Sequence, residues 1–178
     1  MGIGKTIVQK IHLSRQLILM ILVLLGTFKI DFSRPLIQIE KAILDGQIAD
    51  TVVVQSGHTN FSSQVLSIQK FMTSAELNVL YQEAEVVITH AGVGSILRGL
   101  QMGKKVIAVP RLYKYKEHVD DHQLDILNEF AAQGYLIPWH ETDNFQNLLE
   151  TAKTFVPNPY RSNKQDLEQF LISYIERN

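Results

Sequence analysis

The chain has 178 residues, with 17 Lys and Arg against 18 Asp and Glu for a formal net charge of −1, and it has no cysteine. That length suits one domain with a full core and is short for two complete Rossmann-like halves. The balanced charge leaves no cationic footprint for nucleic acid, and the lack of cysteine excludes disulfides, thiolate metal ligands and a cysteine nucleophile.

Residues 1–16 carry Lys5, Lys10 and Arg15 and lead into the apolar run Leu17 to Leu25. Nine residues are too few to cross a bilayer as a helix, and Gly26-Thr27-Phe28 is no small-residue cleavage site. The run therefore reads as a buried strand, not as an anchor or a signal peptide. Gly4-Lys5-Thr6 lacks the upstream glycine and preceding strand of a phosphate loop, and Met1-Gly2 with Thr6 is a chance match to an acylation pattern. Met20 opens a natural strand-first domain, so residues 1–19 are read as an extension and 20–178 as a single domain.

Ser33 is placed as the cap of a helix with Pro35 in its first turn, Leu36, Ile39 and Ile43 on one face, and Gly46 as its stop. Thr51 to Gln55 is a second strand, followed by the polar loop Ser56 to Asn60. A short strand near Ile68 to Phe71 precedes Thr73-Ser-Ala-Glu76, a capping box in front of Leu77, Leu80, Tyr81 and Ala84. Val86 to Thr89 is a buried strand. It runs into His90-Ala-Gly92-Val-Gly94-Ser95, a glycine-containing turn with Ser95 expected to cap the next helix along Ile96, Leu97 and Leu100. Gly103 ends that helix, and Lys105 to Pro110 is a further strand. Glu117-His118-Val-Asp120-Asp121-His122-Gln123 then opens a helix striped by Leu124, Ile126, Leu127, Phe130 and Ala131. Gly134 stops it before a last strand, Tyr135 to Trp139. Amphipathic helices are expected over Asn144 to Lys153 and Asn163 to Glu176, parted by Pro157-Asn-Pro159.

Alternating strands and helices call for an α/β, doubly wound, Rossmann-like parallel sheet with its ligand at the carboxyl ends of the strands. A helix start behind a glycine turn presents free amides and a positive dipole end, which suits an anion. His90 there reads either as a buried, hydrogen-bonded histidine or as an anion ligand. Micromolar binding needs about 8 kcal/mol. Two charge-assisted hydrogen bonds give roughly 3 to 6 and the dipole up to about 2, so the turn alone falls short. The carboxylates, imidazoles and amide of residues 117–123 suit sugar hydroxyls. A metal site is not favoured, since no ligand spacing of the H-E-x-x-H kind is present. A dinucleotide fold is disfavoured too: the first turn is not G-x-G-x-x-G, and Gln55-Ser56 ends the second strand where an acidic residue is required.

Through His90-Ala-Gly-Val-Gly-Ser95, Gly103-Lys-Lys-Val-Ile-Ala-Val-Pro-Arg111 and Glu117-His-Val-Asp-Asp-His-Gln123, the sequence resembles the C-terminal domain of glycosyltransferase family 28. Within that family it is similar to the separate-chain catalytic subunits of bacterial capsule and exopolysaccharide glycosyltransferases, and to that of the eukaryotic two-subunit N-acetylglucosaminyltransferase. The likeness runs from Met20 to about His140. It implies one half of a GT-B glycosyltransferase, an inverting and metal-independent hexosyltransferase. By the same resemblance a UDP-sugar would be the donor and no cofactor would be needed. A membrane-associated partner would carry the lipid-linked acceptor, which places the chain in the cytoplasm at the inner face of the plasma membrane. Carried over, His90, Gly92, Gly94 and Ser95 would meet the diphosphate. Glu117, His118, Asp121 and Gln123 would meet the sugar and its loop, and Gly26 and Thr27 the acceptor-facing rim. Arg98 stands where several family members have a ribose-binding glutamate, so it either pairs with phosphate or is solvated. The general base is unassigned, with His118 an outside candidate. A non-catalytic nucleotide-sugar-binding or enhancer subunit is the alternative.

Overall fold

The computed structural model describes residues 20–160. The extension 1–19, the start of the first apolar run and the expected helix over Asn163 to Glu176 lie outside those residues. Six strands, β1 (Met20–Leu24), β2 (Thr51–Gln55), β3 (Ser67–Gln69), β4 (Val86–His90), β5 (Lys105–Val109) and β6 (Ile137–Pro138), form one parallel sheet in the order β3-β2-β1-β4-β5-β6. The chain winds outward from β1 through β2 to β3, then returns to β4 on the other side of β1 and winds outward again. The crevice between β1 and β4 is thus the point where the winding reverses, and ligands of such sheets bind there.

Among the described residues five α-helices cover the sheet: α1 (Arg34–Leu44), α2 (Ser74–Glu83), α3 (Val93–Gln101), α4 (His122–Ala132) and α5 (Phe145–Thr154). Strand residues alternate between the two faces. Ile21, Val23, Val52, Val54, Ile88 and Ile107 pack with Leu36 and Ile39 of α1 and with Phe145, Leu148 and Leu149 of α5. On the opposite face Leu22, Leu24 and Val87 meet Tyr81 of α2. Beside them Val106 and Ala108 meet Ile96, Leu100 and Leu127 of α3 and α4. A β-strand buried on both faces has no polar side to show, which is why these strands read as continuous apolar runs.

Most expected elements are present, with local differences. The capping box is complete: Thr73 Oγ1 accepts from Glu76 N at 3.2 Å and Glu76 Oε2 accepts from Thr73 N at 2.7 Å. Ser33 does stand at the cap of α1, but its hydroxyl donates to Asp31 Oδ2 at 2.8 Å and caps nothing. The expected strand Tyr135 to Trp139 shrinks to two residues; Trp139, just beyond it, still donates its amide to Ala108 O at 2.8 Å and is fully buried, its ring stacked on Phe145 with centroids 5.1 Å apart. The helix after the glycine turn begins at Val93 with Gly92 as its cap, so Ser95 lies inside the first turn and is not the N-cap.

Candidate functional site

Strand register puts the site in one row. Leu24 pairs with Gln55 on one side and Thr89 on the other, and Thr89 pairs with Ala108. The residues that follow, around Gly26, Gly57, His90 and Pro110, therefore emerge at one level along the carboxyl edge.

His90 is the centre of this edge. Its ring Nδ1 lies 3.5 Å from Leu24 O and 3.5 Å from Thr89 Oγ1. A Cβ on Gly92 would sit 2.3 Å from His90 Nε2, and a Cβ on Gly26 2.7 Å from its Cε1. The two glycines thus form a socket for the imidazole, one from each side of the β1/β4 crevice. Gly26 also needs its freedom for another reason, since its φ is +78°. Behind it, a Cβ on Gly57 would fall 2.0 Å from Gly26 O, so the loops after β1 and β2 touch backbone to backbone. Burial holds the His90 imidazole below its ordinary pKa; Arg111 and His118 nearby push the same way, against the Leu24 carbonyl. His90 is therefore neutral at pH 7.

Gly94 is different from Gly92. A Cβ there would meet nothing within 4 Å, so it borders open space at the start of α3. The amides of Ser95 and Ile96 both return to Gly92 O at 3.1 Å, which leaves those of Val93 and Gly94 ahead of the helix's own bonds. Anion-binding capacity thus sits one turn earlier than a Ser95 cap would place it.

The polar run 117–123 divides in two. Glu117 and Gln123 are buried. Glu117 takes Arg34 in a two-pronged ion pair, Nε to Oε1 at 3.0 Å and Nη2 to Oε2 at 2.9 Å, and also accepts from Leu112 N at 3.1 Å. Gln123 Oε1 accepts from Arg111 N at 3.0 Å. Both side chains thus hold the loop from within. His118, Asp120, Asp121 and His122 lie on its outer side. His118 Nδ1 is 2.9 Å from Asp120 Oδ1, and its ring packs on Phe28 with centroids 4.9 Å apart. Asp121 Oδ1 accepts from Tyr113 N at 2.9 Å. The Phe28 contact joins this run to the Gly26-Thr27 rim across the sheet edge, with Thr27 itself exposed. Among the described residues, no three His, Asp or Glu side chains gather as a metal ion would require.

Arg98 does not face the site. Its Nη2 donates to Asn78 Oδ1 at 2.8 Å and its guanidinium lies 4.9 Å from the Tyr81 ring centroid, so it is held against α2. The residues missed from the sequence are Arg34 and Arg111. Arg111 is 1% exposed, and its guanidinium donates to Leu25 O, Ile30 O and Glu117 O. Burial pushes its pKa down to about 10, with Glu117 and Asp31 acting to hold it up. A cation at the first position of a helix opposes the dipole, and that was the one available signal that Arg34 has a tertiary partner.

A parallel sheet wound both ways from a glycine-socketed crevice is Rossmann-like, the fold of one half of a GT-B glycosyltransferase. The chain belongs to the family described as the glycosyltransferase family 28 C-terminal domain, which matches residues 20–172. It is similar to the UDP-N-acetylglucosamine transferase subunit ALG13 of Yarrowia lipolytica, 32% identical over 117 residues, which are 62% of this chain and 58% of that protein. The human protein of the same name is 29% identical over 76 residues, 43% of this chain and 6% of the relative. The match thus spans less than two thirds of either relative's length. Among solved structures, the solution structure of ALG13 superposes with a TM-score of 0.52 at 16% identity, covering 86% of this chain and 94% of that one. The kitacinnamycin glycotransferase gives 0.56 at 17% identity, over 76% of this chain but 34% of its own. MurG of Acinetobacter baumannii gives 0.52 at 18%, over 82% and 43%. At such identities the structures speak for the fold.

Proposed function

We propose that the chain is the donor-binding, catalytic subunit of a UDP-sugar-dependent hexosyltransferase that acts on a lipid-linked saccharide, with a partner chain supplying the acceptor half. The observation that carries this reading is the β1/β4 crevice, where His90 sits between Gly26 and Gly92 beside the open start of α3. The name of the relatives makes UDP-N-acetylglucosamine the first donor to try. Residues 20–178 are taken as one nucleotide-sugar-binding domain and 1–19 as an extension. The setting we infer is the inner face of the plasma membrane, reached through the partner, in capsule or exopolysaccharide assembly. Among the described residues no helix is long and apolar enough to cross a membrane.

In this reading the diphosphate lies over Gly94, taking the Val93 and Gly94 amides, the positive end of α3, the Ser95 hydroxyl and the His90 ring. The sugar lies toward His118 and Asp121, on a loop fixed from behind by Glu117 and Gln123. An acceptor hydroxyl oxygen attacks the anomeric carbon with inversion as the bond from that carbon to the diphosphate oxygen breaks. The electron pair leaves with UDP, and its charge is stabilised by fixed amides and the dipole, without a metal. The hydroxyl proton passes to a base on the partner chain. Gly26 and Thr27 face the acceptor.

A thermal-shift panel of UDP, GDP, UMP and UDP-hexoses is the direct test, followed by label transfer with a membrane fraction that contains the partner. Stabilisation by UDP and its sugars above GDP is expected. No shift with any nucleotide, or transfer untouched by both Gly94→Val and Asp121→Ala, would sink the reading. The second reading, a donor-binding subunit without catalysis, fits the lack of an assigned general base among the described residues. It predicts UDP binding with partner turnover indifferent to Gly94 substitutions.

A further inference from the structure

Arg111 follows Pro110 at the end of β5 and has no part in the contacts proposed above. Its guanidinium reaches three carbonyls on three separate segments: Leu25 at the end of β1 (3.1 Å), Ile30 in the loop before α1 (2.8 Å) and Glu117 in the polar run (3.1 Å). Its own amide donates to Gln123 at the start of α4, and its flat face lies 4.6 Å from the Phe32 centroid and 5.7 Å from that of Phe28. Burying a guanidinium is costly, and an apolar side chain would fill the space between two phenylalanine rings without that cost. Nε is moreover one of two buried side-chain atoms without a partner among the described residues, so the contact set is not one optimised for stability alone. What only arginine offers is a rigid fork that takes carbonyls from several segments at once.

The segments it joins are the loop that follows β1 and the loop that follows β5, which flank the β1/β4 crevice from beyond its two strands. We propose that Arg111 is a positioning residue that sets the acceptor-facing loop at Gly26 and Thr27 against the sugar-facing loop at His118 and Asp121, and so governs the transfer step rather than the binding of the nucleotide. This rests on the function proposed above. Arg111 makes no hydrogen bond to His90 or to the start of α3 and reaches His90 through its charge alone, so its replacement leaves UDP binding largely in place.

The test uses the full chain with the membrane fraction holding its partner, comparing wild type, Arg111→Lys, Arg111→Met and the core control Leu36→Ala. Loop displacement on the order of 1 Å lowers kcat roughly ten- to hundredfold in Arg111→Met. Lysine keeps the cation but not the fork and falls between. UDP affinity by calorimetry stays within about threefold of wild type, because the diphosphate contacts at His90 and the start of α3 are left in place, and the loss falls on kcat. A folded Arg111→Met with wild-type kcat overturns the proposal, as does a rise in KM at unchanged kcat. Should Arg111→Met show no cooperative urea transition, Arg111→Lys decides: full kcat, or a loss no greater than that of Leu36→Ala, overturns it. A wild-type chain that binds no UDP overturns the functional reading itself, and is told apart by the first calorimetric trace.

Discussion

The socket around His90 makes a sharp prediction for Gly92→Ala. Gly92 has φ −90° and ψ 130°, a conformation alanine adopts freely, so the backbone alone gives no reason for glycine. The reason is the ring: the added Cβ falls 2.3 Å from His90 Nε2 and 2.9 Å from Cδ2, where ordinary contact begins at 3.4 Å. The imidazole must retreat by about 1 Å, straining or breaking its approach to Leu24 O and Thr89 Oγ1, and overpacking of this kind costs about 1 to 3 kcal/mol. Losing a glycine at the helix cap adds up to about 1 kcal/mol whatever residue 90 is. The double-mutant cycle with His90→Ala separates the two, because the clash vanishes when the ring does and the capping loss does not. Urea unfolding followed by far-ultraviolet circular dichroism, with equal slopes for all four proteins, should give a coupling of about 1 to 2 kcal/mol. Additivity within about 0.5 kcal/mol would refute the socket, since it would mean that the ring swings clear at little cost.

Gly94→Ala is expected to do the reverse: the methyl points into open space in a helix, so stability rises by roughly 0.5 to 1 kcal/mol while UDP binding weakens, read by thermal shift without and with UDP. Stabilisation with undiminished UDP affinity would remove the ligand from above Gly94. Because burial lowers the pKa of His90, the unfolded chain takes up a proton more readily than the folded one below the usual histidine value of 6.5. The stability from neutral His90 is then complete above pH 6.5 and drains as pH falls, so His90→Gln should flatten the loss between pH 7 and pH 5; an unchanged slope in urea midpoints would contradict this. A diphosphate on that ring raises its pKa, so UDP binding at pH 6 should take up protons in calorimetry across buffers of different ionisation enthalpy. Glu117→Ala leaves the Arg34 guanidinium, whose side chain is 18% exposed, without its carboxylate, and a loss of about 2 to 4 kcal/mol is expected in urea unfolding. A loss under about 0.5 kcal/mol would return Glu117 to the list of solvent-facing groups.

The parts legible in the sequence were those fixed by near neighbours. Strand runs such as Val86 to Thr89, the Thr73 to Glu76 box and the glycine turn after His90 are decided within a few residues, and the structure has them. The polar run 117–123 was legible as a cluster, but not as a two-sided one. Which carboxylate turns inward depends on Arg34, which lies 83 residues away in the chain, and no local pattern carries that. Arg111 was hidden for the same reason, since its acceptors are backbone carbonyls and leave no mark in composition. Serine favours the cap position and so the sequence points to Ser95, whereas the tight approach of residue 92 to His90 lets glycine take it.

The contact between His90 and Leu24 O spans 66 residues, and it joins the first strand to the fourth. Two parallel hairpin-less pairings must therefore form before the crevice has two walls: β2 reaches β1 early, but β4 arrives only after both excursions of the chain. Pairings this distant close slowly, and until then the unpaired edge of β1, Ile21 to Leu24, is an apolar template open to other chains. During synthesis the molecule therefore passes through a stage in which half the sheet exists with one bare, sticky border and no binding site. For a chain with this winding, the demand on chaperones depends on the order in which its strands are made as well as on how stable the finished domain is.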